Sequence, residues 1–89
     1  MQVKLKVTGR VQGVGFRMFV ERKAREHGIK GWVRNTSDGA VKILAEGDLK
    51  DLETFIDWVK QGPSLSRVTH VEKSVSEQTF GMKEFTIKY

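Results

Sequence analysis

The feature that most constrains this chain is a change of hydrophobic period across a glycine-rich join. Val3, Leu5 and Val7 alternate with Gln2, Lys4, Lys6 and Thr8, the period-two pattern of a half-buried strand. From Phe16 the spacing becomes helical, with Phe16, Phe19, Val20 and Ala24 on one stripe and Glu21, Arg22 and Arg25 turned outward. The join reads Gly9-Arg10-Val11-Gln12-Gly13-Val14-Gly15-Phe16-Arg17. A strand that passes through such a loop straight into a helix must lay that helix back over its own sheet. Glycines in a strand-to-helix loop tolerate the positive φ values that let backbone N–H groups converge. The helix N-terminus behind them adds free N–H groups and the positive end of the macrodipole. Arg17 sets a permanent forked cation at the rim. Together these groups form a seat for a small tetrahedral anion such as a phosphoryl group.

The rest of the chain repeats the alternation of periods. The first helix should stop at His27-Gly28, and Ile29 to Asn35 reads as a second strand. Asn35-Thr36-Ser37-Asp38-Gly39 is a turn, with Asp-Gly its strongest signal and Asp38 its support. Val41, Ile43 and Ala45 mark a third strand, Asp48 a helix N-cap, and Leu49, Leu52, Phe55, Ile56 and Val59 the buried stripe of a second helix. Gly62-Pro63 ends it. A fourth strand lies within Arg67 to Ser76, its register undefined because Val68 and Val71 have opposite parity. Phe85, Ile87 and Tyr89 alternate as a fifth.

The order is βαββαβ plus a terminal strand. Right-handed crossovers put both helices on one face of a mostly antiparallel sheet. The expected class is α+β, a ferredoxin-like two-layer sandwich, with residues 1–89 forming a single domain. The fold does not choose a function.

Composition narrows the classes. The 89 residues include no cysteine, which removes disulfides, thiolate catalysis and cysteine metal sites. No apolar run approaches a membrane span, and the first residues enter a strand pattern without a signal-peptide core, so a cytoplasmic protein with no membrane partner is expected. Sixteen Lys and Arg against eleven Asp and Glu, a formal charge of +5, favour anionic partners without choosing among them.

The Gly9–Arg17 stretch matches the G-x-V-Q-G-V-x-F-R loop of the acylphosphatase family. Gly31-Trp32-Val33-Arg34-Asn35-Thr36-Ser37-Asp38-Gly39-Ala40-Val41 matches that family's second element, G-[aromatic]-V-x-N-x-x-D-G-x-V. The chain therefore resembles acylphosphatase over essentially its whole length, with no departure in either motif. The resemblance implies metal-independent hydrolysis of the carboxyl–phosphate bond of small acyl phosphates, yielding a carboxylate and inorganic phosphate. It implies a phosphate-binding loop of Gln12, Gly13, Val14, Gly15 and Phe16 together with Arg17, and a water positioned by Asn35. No metal and no organic cofactor are implied.

The residues make that chemistry reasonable. A carboxylate leaving group, whose conjugate acid has a pKa of roughly 4, departs at neutral pH without a general acid. What remains is to hold the phosphoryl oxygens, complement their charge and align a water. A cation in the first helical turn is disfavoured by the dipole, which suits Arg17 better to an anion-linked role than to a plain surface position. The blander reading of Asn35 is a turn former. Trp32 is expected to pack rather than stack on substrate, and Trp58 to sit at the core edge. His27 and His70 lack ligand spacing.

Rival classes fit less well. Lys30-Gly31-Trp32 resembles the opening of an RNA-recognition strand, but Val33-Arg34-Asn35 lacks the further aromatics for base stacking, so nucleic acid is not an expected partner. A metal-carrying domain lacks its Cys-x-x-Cys pair, and no Lys-Ser or Lys-Thr completes a Walker-type loop. A monomer is the default, and no insertion suggests a dedicated acyl pocket, so broad tolerance of small acyl groups is expected.

Overall fold

The structure, a computed structural model, describes Met1–Tyr89. Seven elements follow in order: β1 (Gln2–Arg10), α1 (Phe16–Glu26), β2 (Lys30–Asn35), β3 (Val41–Glu46), α2 (Leu49–Gln61), β4 (Arg67–Ser76) and β5 (Phe85–Lys88). The sheet order is β4-β1-β3-β2-β5. Every pairing is antiparallel except β2 with β5. No helix is long and apolar enough to cross a membrane.

The alternation read from β1 becomes a two-sided sheet. Val3, Leu5, Val7, Val33, Val41, Ile43, Ala45 and Phe85 turn to the helices and are buried with Phe16, Phe19, Val20 and Ala24 of α1 and Leu52, Phe55, Ile56 and Val59 of α2. The opposite face carries Lys4, Lys6, Lys42 and Arg34 and is covered by neither helix. Both helices thus occupy one layer, as the crossover rule requires.

Several expectations need correction. Gly9 belongs to β1, whose pairing with β4 extends to Arg10, so the join proper is Val11–Gly15. A Cβ on Gly9 would lie 2.1 Å from the Arg67 carbonyl oxygen, so this glycine admits a neighbouring strand instead of lining an anion seat. The undefined register of β4 has a physical cause. The pairing shifts between Thr8↔His70 and Gly9↔Val68, leaving Thr69 as an extra residue. Such a bulge reverses side-chain parity, which is why Val68 and Val71 both pack against the core despite their spacing.

Leu49 is 55% exposed at the first position of α2 and is not part of its buried stripe, which begins at Leu52. Asp48 occupies the N-cap but makes no side-chain cap bond; its carbonyl accepts from Leu52 N at 2.9 Å. Trp58 does lie at the core edge. Trp32 lies on the open face, half-buried, with the Lys88 ammonium 4.8 Å and the Arg34 guanidinium 5.7 Å from its ring centre.

The β4–β5 connection crosses from one sheet edge to the other and is anchored by a buried acid. Glu46 accepts from Gln2 Nε2 at 3.0 Å, Phe80 N at 2.6 Å and Met82 N at 3.1 Å. Burial alone raises its pKa, but these donated bonds and the N-terminal ammonium outweigh it, and the carboxyl titrates below its ordinary value.

Candidate active site

β1 ends at Arg10, and the chain must reverse within five residues to start α1. Gly13 at φ 73° and Gly15 at φ 75° make the reversal, and a Cβ at either would meet nothing within 4 Å. These two glycines are needed for backbone conformation, not for space. Gly15 is the N-cap of α1 in the left-handed conformation and offers no side-chain cap. No N–H from Gln12 to Met18 donates to a carbonyl or side chain of the protein. The loop and first helical turn therefore present a run of free donors, with no acidic residue in that turn to offset the helix dipole.

Arg17 is half-buried beside this loop and makes no ion pair with any carboxylate. Its guanidinium lies 4.7 Å from the ring centre of Tyr89. Tyr89 was expected to extend the fifth strand, but β5 ends at Lys88 and the tyrosine, 97% exposed, follows it toward α1. Its site position was hidden in the sequence because strand parity alone assigned it to the sheet.

Asn35 ends β2 on the helix side of the sheet, sharing a face with Val33. Its Oδ1 is buried and accepts no hydrogen bond. Asn35, Arg17, Gly13, Gly15 and Phe16 line one cavity of about 140 Å³, with Val11, Met18, Ile87 and Tyr89 completing the wall. The structure thus brings Arg17 and Asn35, 18 residues apart in sequence, to one concavity against the loop. Phe16 is buried in the core and also borders the cavity. Val14 packs partly against the core.

Gln12 has a side-chain role that the motif did not disclose. Its Nε2 donates to the carbonyls of Thr36 and Ala40, each at 2.8 Å. This ties the loop to the turn that carries Asn35. Asp38 braces that turn from the other side, accepting from Lys6 Nζ at 2.8 Å, from the Thr36 hydroxyl and from Ala40 N at 3.4 Å. The Lys6 ammonium, with the Thr36 and Ala40 donors, holds the Asp38 carboxyl well below the usual carboxylate range. Asp38 therefore supports the turn, as read from Asp-Gly, through partners that only the tertiary structure supplies.

The whole chain has close counterparts. The family model for acylphosphatase matches residues 3–87. An acylphosphatase of Deinococcus radiodurans is 45% identical over 98% of this chain and 99% of its own length. One from Thermotoga maritima is 50% identical over 98% of this chain and 96% of that protein. The crystal structure of acylphosphatase from Bacillus subtilis aligns with a TM-score of 0.97 at 44% identity, covering 99% of this chain and 98% of that one.

Proposed function

The chain belongs to the acylphosphatase family and hydrolyses acyl phosphates to a carboxylate and inorganic phosphate, and on that premise we propose how its residues divide the work. The backbone N–H groups of Gln12, Gly13, Val14, Gly15 and Phe16 hold the phosphoryl oxygens. Arg17 bridges two of them through its fork and stays protonated throughout. A lysine there would keep the charge and lose the bidentate geometry.

Asn35 aligns the nucleophile. Its Oδ1 accepts one hydrogen of a water and turns that oxygen's lone pair toward phosphorus. The new P–O bond forms as the bond to the acyl oxygen breaks, and the carboxylate leaves with the bonding pair. An amide is no base, so the proton passes to the phosphate oxygens or to solvent. The observation that carries this reading is the buried, unbonded Oδ1 of Asn35 in the cavity that Arg17 shares. An acceptor that the fold buries without a protein donor is left to take its hydrogen bond from a water in that cavity.

The chemistry needs no metal, no organic cofactor and no second copy, so a monomer suffices. The cysteine-free composition fits a cytoplasmic setting. Met18 at 70% and Tyr89 at 97% exposure leave the mouth of the cavity open, which fits tolerance of varied small acyl groups.

Acetyl phosphate hydrolysis with chelator present tests the assignment. Wild type should turn over undiminished, and folded Asn35→Ala should lose on the order of 100- to 1000-fold in rate while inorganic phosphate still inhibits it. Equal rates would remove Asn35 from the mechanism, and loss of phosphate inhibition would make it part of the anion seat instead.

A further inference from the structure

We propose that the open face of the sheet is a second anion-binding surface, on the side away from the phosphate loop, and that it takes the sugar-phosphate backbone of single-stranded nucleic acid. Register places Lys6 opposite Lys42, Lys42 opposite Arg34, and Arg34 beside Lys88. Four cations thus cross four adjacent strands in one row, spanning about 14 Å at the usual strand spacing. Lys4 lies on the same face one pleat away. Of these five, only Lys6 has carboxylates beside it, Asp38 at 2.8 Å and Glu72 opposite it on β4 at the end of the row; Lys4, Lys42, Arg34 and Lys88 have none in ion-pair range. Like charges held directly opposite one another destabilise a sheet. Lys6 has a use in bracing Asp38, but nothing in the hydrolytic site calls for Lys4, Lys42, Arg34 or Lys88, since Asn35 and Arg17 open on the helix side. An anionic ligand that neutralises the row accounts for its persistence.

The row is too long for a single tetrahedral anion, and its cations border a broad groove of about 790 Å³. A chain of phosphates matches it. Trp32 sits at its middle, one pleat from the row and within cation–π distance of Arg34 and Lys88, where an unpaired base could stack. This last feature favours single-stranded nucleic acid over an acidic polypeptide. The aromatic spacing along β2 argued against nucleic acid, but that criterion concerns sequence-specific base reading. Backbone binding needs only the cations, and these come from four separate segments that register alone unites.

The test is fluorescence anisotropy of a labelled twenty-residue oligothymidylate, titrated with protein across a salt series, with an unlabelled duplex and polyglutamate as competitors. Four phosphate contacts predict a slope of log K against log salt of about −3, and Lys42→Gln/Lys88→Gln, which removes two of the four, should halve it to about −1.5. Lys50→Gln/Lys60→Gln on α2 removes the same charge from the other layer and should leave the slope unchanged. Both variants should keep wild-type acetyl phosphate hydrolysis, which establishes that they are folded. Absence of binding, equal loss in the two variants, or stronger competition by duplex or polyglutamate than by unlabelled single strand would each overturn the proposal.

Discussion

The Gln12 side chain sits at the centre of the site's geometry while pointing away from the cavity, toward the turn after Asn35. Its amide joins the loop that carries the free N–H groups to the turn after Asn35, so in the proposed mechanism it fixes the spacing between phosphate and water. Gln12→Leu should lower kcat by ~10- to 100-fold, since small misplacements of a reacting group have effects of that size. Phosphate inhibition should change little, because the loop and Arg17 remain. The Thr36 and Ala40 carbonyls keep donors from Gly39 N and Thr36 N, so stability should fall only by about 0.5–1.5 kcal/mol per lost bond. Steady-state kinetics at a temperature where both proteins are folded separates the effects; a proportional loss of phosphate affinity would assign Gln12 to the seat. Within the motif, a glutamine between glycines is legible as loop backbone. Its side-chain partners lie 24 and 28 residues away, and no local spacing announces them.

At the scale of elements, the open face has a measurable cost. The row of Lys6, Lys42, Arg34 and Lys88 repels itself most at low ionic strength, where the Debye length is about 30 Å at 0.01 M salt. Lys42→Gln should raise Tm by a few degrees there, given ~0.2–1 kcal/mol per like-charged pair and about 4–8 °C per kcal/mol for a domain of this size. The gain should vanish near 1 M salt. Thermal melts followed by circular dichroism at the two ionic strengths provide the check. Elements themselves were largely readable, because strand and helix periods are properties of neighbouring residues. The bulge at Thr69 and the exposure of Leu49 were not, because each depends on what an adjacent element presents. The glycine loop between β1 and α1 is legible for the first reason and the cation row hidden for the second.

For the molecule as a whole, stability against acid draws on two carboxylates held below their ordinary pKa, the buried Glu46 and the exposed, more screened Asp38. The folded-state pKa of Glu46 lies below the ordinary value of 4.5, so the unfolded chain binds the proton more readily. The stabilisation is complete above the unfolded pKa and is lost as pH falls through the lower, folded one. Denaturant midpoints for wild type should therefore decline below about pH 5. Glu46→Gln should be less stable at neutral pH and show a shallower decline. A parallel decline would show that other carboxylates govern acid unfolding. The same side chain fastens the segment that carries the chain from β4 at one edge to β5 at the other.

That route from edge to edge has a consequence for how activity arises during synthesis. The cavity wall draws on Val11, Gly13 and Gly15 to Met18, on Asn35, and on Ile87 and Tyr89, so its pieces are made at three separate times. A nascent chain that has emerged only through β3 already owns Arg17 and Asn35, but it lacks β4 and β5, the two edges of its sheet. Pairing of such distant segments is slow to form. Catalysis therefore begins only when translation of β5 is finished and the strand has docked beside β2, which makes turnover a direct reporter of completed folding.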